Sequence, residues 1–160
     1  KLVREMEERG ISPDRTAYNA VAGAHARNGD VSSILDVVDW GRDRLGDELP
    51  DAFTYGALVE GCIRAEELLR AAAFRQEAID QGHELAVQLE AWLVERLVRT
   101  GDTERARDIY FGLEKEKLDG LADHSRWRLQ AIVVAAESRG RDGWNSVAAV
   151  ERREEDSLAV

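Results

Sequence analysis

The chain has 160 residues, enough for one globular domain or one short repeat array. Hydrophobic residues make up 44% and charged residues 34%, and no apolar run approaches the roughly 20 residues that a membrane-spanning helix needs. The net charge of −10, from 32 acids against 22 bases, argues against the broadly basic surface of a phosphate-binding protein but leaves room for a local basic strip.

Only Pro13 and Pro50 interrupt stretches dominated by Ala, Leu, Glu and Arg, all good helix formers. The one β-branched cluster, residues 132–134, sits inside a helical pattern. The class read from these features is all-α. Cys62 is the sole cysteine, so no internal disulfide can form, and a small core residue is the ordinary role for such a side chain.

In chain order, the first element is an amphipathic helix, Leu2-Val3-Arg4-Glu5-Met6-Glu7-Glu8-Arg9. Residues 1–14 are read as the end of a preceding repeat, with any targeting segment lying upstream. Three segments then align with one another, beginning near Arg15, Ala52 and Ala86, and a weaker fourth begins near Arg126. Their anchors Tyr18, Tyr55, Leu89 and Leu129 recur at roughly 34 to 40 residues, the period of a helical hairpin. The repeats are assigned to residues 15–51, 52–85 and 86–125, followed by a degenerate or capping repeat over 126–153 and a flexible tail over 154–160.

Each copy follows one plan. A first helix ends at Asn28-Gly29, Thr100-Gly101 or Arg139-Gly140, where glycine can take the left-handed position. Asp30 or Ser32, and Asp102 or Thr103, are placed to cap the second helix. The second helices carry apolar stripes, read as Ile34-Val37-Val38 with Leu45, as Leu69-Ala73-Ile79, and as Ala106-Ile109-Tyr110-Leu113. A two-helix unit of this length cannot bury its own stripe and must stack on its neighbours. The expected architecture is therefore an α-solenoid, a right-handed superhelix of about four stacked antiparallel helix–turn–helix repeats.

The segment Met6-Glu7-Glu8-Arg9-Gly10-Ile11-Ser12-Pro13-Asp14, followed by Thr16-Ala17-Tyr18-Asn19, resembles a junction between two pentatricopeptide repeats. Leu49-Pro50-Asp51-Ala52-Phe53-Thr54-Tyr55 repeats the pattern, and Gly101-Asp102-Thr103-Glu104-Arg105-Ala106 resembles that family's turn into its second helix. The related tetratricopeptide class shares the architecture, but its aromatic and proline spacing is not evident. The resemblance implies an organellar protein, of chloroplast or mitochondrion, and single-stranded RNA as the family's usual ligand, read at about one base per repeat.

Carried onto this chain, the resemblance makes Asn19 and Asp51 base-reading candidates of the family's uracil type. The corresponding positions of the next repeats are Gly56 with Leu85, Glu90 with Ser125, and Gln130. Gly56 and Leu85 offer no side-chain hydrogen bond, and the Glu90 carboxylate would repel phosphate. The expected function is thus a non-catalytic scaffold that contacts other protein subunits within a larger organellar assembly. The alternative is single-stranded RNA binding in organellar RNA processing, stability or translation.

Catalytic and metal chemistry find no footing. His25, His83 and His124 have no second ligand three or four residues further on, no nucleophile–base pair assembles, and no cofactor motif is present. The acid pairs Asp36/Asp39 and Glu66/Glu67 are read as solvated helix faces. Trp92 is expected in the core. Trp127, flanked by Arg126 and Arg128, and Trp144, after a glycine-bounded loop, are candidate partner contacts, because Trp and Arg are enriched at binding hot spots. Capping of the last repeat's open core is the equal alternative.

Overall fold

The computed structural model describes residues 2–113 together with residues 129, 130 and 134. All regular structure among them is helical: α1 (Leu2–Glu8), α2 (Arg15–Ala26), α3 (Val31–Leu45), α4 (Ala52–Arg64), α5 (Leu68–Asp80), α6 (Val87–Arg99) and α7 (Thr103–Gly112), with a 3₁₀ turn at Gly46–Glu48. The all-α class is therefore observed. No helix among the described residues is long and apolar enough to cross a membrane. The chain divides into two compact units, one ending at Leu89 and the other beginning at Glu90.

Local chemistry sets the helix ends in the first unit. The Asp14 carboxylate accepts a hydrogen bond from the Ala17 amide at 2.9 Å and opens α2. At the other end Gly29 adopts φ +68°, which lets the Asp30 amide reach back to the His25 carbonyl at 3.1 Å and satisfies an otherwise orphaned helix-terminal acceptor. Asp30 then caps α3, accepting from the Ser33 amide at 3.1 Å. Ser32, the alternative cap, instead donates its hydroxyl to the same Asp30 carboxylate. Hydrogen bonds from Ser33 foremost, and from Ser32 and His25, outweigh a desolvation penalty and lower the Asp30 carboxyl to about 2.

The packing follows from which faces are apolar. α2 lies against both α3 and α4, α3 also meets α4, α4 packs on α5, and α1 touches α2. The shared core comprises Tyr18, Ala22 and Ala26 of α2, Ile34 and Val38 of α3, and Tyr55, Leu58, Val59, Cys62 and Ile63 of α4. Each large aliphatic side chain fully withdrawn from water contributes about 1.5–3 kcal/mol. Close approach depends on Gly61, because a Cβ there would stand 2.6 Å from Ile34 Cδ1 and 3.6 Å from Ala26 Cα. Burial pushes the Cys62 thiol up to about 11, so it behaves as a small core side chain.

The stripe of α5 differs from the one the sequence suggests. Leu69, Ala73 and Ile79 are exposed, and the inward residues are Leu68, Ala71, Arg75 and Ala78. Alanines on that face allow α5 to lie close on α4, and the bulkier Leu69 and Ile79 are left outside. Residues 42–48 complete α3 as far as Leu45 and supply the following 3₁₀ turn.

In the second unit, Asp102 caps α7 by accepting from the Arg105 amide at 3.3 Å, and its carboxylate also pairs with the Arg105 guanidinium. Leu93, Val94, Leu97 and Val98 are buried on α6, as are Ala106 and Ile109 on α7 and Leu113 just beyond it. Trp92 is partly exposed rather than enclosed. Most of the weak fourth copy lies outside the described residues.

Candidate functional site

The two positions proposed to read a base are brought together, although 32 residues separate them in sequence. Asn19 stands in the second turn of α2, and Asp51 is the residue immediately before α4. Asp51 and Thr54 form a reciprocal cap: the Asp51 carboxylate accepts from the Thr54 amide at 2.9 Å, while the Asp51 amide donates to Thr54 Oγ1 at 3.3 Å. This arrangement satisfies two helix-end donors at once and fixes the carboxylate in place.

Asn19 is added to that cap. Its Nδ2 donates to both Asp51 oxygens, at 3.1 and 2.9 Å. An ionised carboxylate only accepts, so the amide orientation is determined by its partner. The Asn19 carbonyl oxygen accepts from the Thr54 hydroxyl at 2.7 Å, and Asp51 Oδ1 lies 3.0 Å from the same hydroxyl. With one proton to give, Thr54 favours the shorter contact to Asn19. Arg15 approaches from the solvent side, its Nε 3.4 Å from Asp51 Oδ2.

Burial acts to raise the Asp51 carboxyl. It is outweighed by hydrogen bonds from the Thr54 amide, Asn19 and the Thr54 hydroxyl, and by the Arg15 charge, so Asp51 titrates below the usual carboxylate range. Thr54 is 2% exposed, whereas the next residue toward the helix start, Phe53, is 79% exposed.

The corresponding positions of the later repeats that the structure describes are Gly56, Leu85, Glu90 and Gln130. Gly56 has no side chain, Leu85 is buried, Glu90 is only 3% exposed, and Gln130 is exposed. Ser125 and the candidate partner contacts Arg126, Trp127, Arg128 and Trp144 lie outside the described residues. Sequence reasoning missed Thr54, Arg15 and Phe53. A detectable signal existed for the first of these, since a hydroxyl three residues after an aspartate at a helix start is a capping-box spacing.

A concavity of about 920 Å³ is lined by residues of α1, α2 and α3. The carboxylates of Glu7, Glu8, Asp36 and Asp39 line it around Trp40. The Arg44 guanidinium sits 4.8 Å from the Trp40 ring centroid and pairs with Glu7. Tyr18 meets Trp40 edge to face at 6.2 Å, and its hydroxyl is buried without a hydrogen-bond partner. His25 lines the same groove and bonds Asp30 at 3.1 Å. His83 lies against Tyr55, whose hydroxyl donates to Glu77 at 2.8 Å. Among the described residues, no group of three His, Cys, Asp or Glu side chains is placed to hold a metal ion.

No protein-family model matches the chain, and a search of curated proteins finds no similar sequence.

Proposed function

We propose that the chain is a non-catalytic helical-repeat scaffold, an α-solenoid of pentatricopeptide-like hairpins that contacts protein subunits of a larger organellar assembly. The observation that carries this reading is the internal engagement of Asn19. Its amide nitrogen is held by the Asp51 carboxylate and its oxygen by the Thr54 hydroxyl, so the polar edge that would read a base is engaged in joining α2 to α4. Burial of Leu85 and Glu90 and the net charge of −10 support it further. Exposed Phe53, Leu69 and Phe111 offer aromatic and aliphatic contact of the kind concentrated at the centres of protein interfaces.

A specific observation favours single-stranded RNA as the second reading. Phe53 is bare and follows Asp51 by two positions in the chain, and the exposed Arg15 pairs with Asp51. Stacking, a cation and a hydrogen-bonding edge are the ingredients of a single-nucleotide site.

A randomised single-stranded RNA pool applied to the immobilised chain at two salt concentrations separates these readings. The scaffold reading expects recovery at background from a folded, helical protein, with crosslinking in organellar extract yielding protein partners whose contacts map to the exposed apolar residues. Salt-sensitive, uracil-enriched binding that disappears in Asn19→Ala and Phe53→Ala would overturn it in favour of RNA.

A further inference from the structure

We draw no further inference here: the strongest candidate, the acidic groove that Glu7, Glu8, Asp36 and Asp39 line around Trp40 on the α1–α3 face, carries nothing because a cluster of carboxylates does not define a ligand and nothing in the structure shows what covers it.

Discussion

The side-chain amide of Asn19 donates to both carboxylate oxygens of Asp51, at 3.1 and 2.9 Å, and thereby ties the second turn of α2 to the start of α4. The contact lies in a partly buried setting in which Asp51 also holds the cap of its own helix. A hydrogen bond to a charged acceptor contributes more than one between neutral groups, about 1.5–3 kcal/mol.

Asn19→Ala should therefore lower stability by about 1–3 kcal/mol, because the carboxylate loses its donor while staying partly out of water. Asn19→Asp should cost more at neutral pH than at pH 3, since it places like charges side by side. Urea unfolding at the two pH values measures both. Equal stability of wild type and Asn19→Ala would show that the contact contributes nothing.

Asp30 and Asp51 give the fold an acid dependence of definite sign. Both carboxyls titrate lower in the folded chain than in the unfolded one, Asp30 near 2. Groups shifted this way contribute stability above their unfolded pKa and lose it as the pH falls through the folded value. Thermal midpoints should accordingly drop between about pH 4 and pH 2. Asp30→Asn keeps a side-chain oxygen for capping but removes the titrating group. Its deficit relative to wild type should shrink across that window, and a constant gap would contradict the assignment.

Gly61→Ala tests the close approach of α4. The substitution gains roughly 1 kcal/mol of intrinsic helix propensity, yet the new methyl would meet Ile34 Cδ1 at 2.6 Å. Ile34 is fully buried and has little room to yield. Overpacking of about 1–3 kcal/mol should leave the variant destabilised. Ile34→Val removes the clashing carbon, so the double variant should recover more than the single effects predict. Strict additivity in a double-mutant cycle would place the strain elsewhere.

Glu66 occupies the turn position that glycine fills at Gly29 and Gly101, with φ +62° against +68° and +88°. A side chain in this left-handed conformation costs about 1–2 kcal/mol, which exceeds the roughly 0.5–1 kcal/mol entropic cost of glycine. Glu66→Gly should raise the thermal midpoint. Gly29→Ala should lower it, both through φ and because its Cβ would stand 3.3 Å from the Ala65 amide nitrogen. Calorimetry on the two variants checks the opposite signs.

Helix identity and ends were the readily legible part of this sequence. Asp30 and Asp102 cap as aspartate should, and Gly29 and Gly101 turn the chain, because such signals act within a few residues of one another. The inward face of α5 was not legible. Leu69 and Ile79 outweigh Ala71 and Ala78 in hydropathy, but contact with α4 depends on how closely backbones approach, which favours the smaller side chains. The pairing of Asn19 with Asp51 came from a resemblance, whereas the role of Thr54 between them is a property of three dimensions. Mutual engagement of those groups is invisible in a string of letters, which names donors and acceptors without saying which of them meet.

Because α2 packs on both α3 and α4, neither neighbouring hairpin owns its interior. Cutting the chain between Gly46 and Asp51 would strip one wall from the first hairpin and expose Ala26 and Ile34. The two halves would then lose protection against proteolysis together, so the smallest piece that melts as one cooperative body must include α2 through α4.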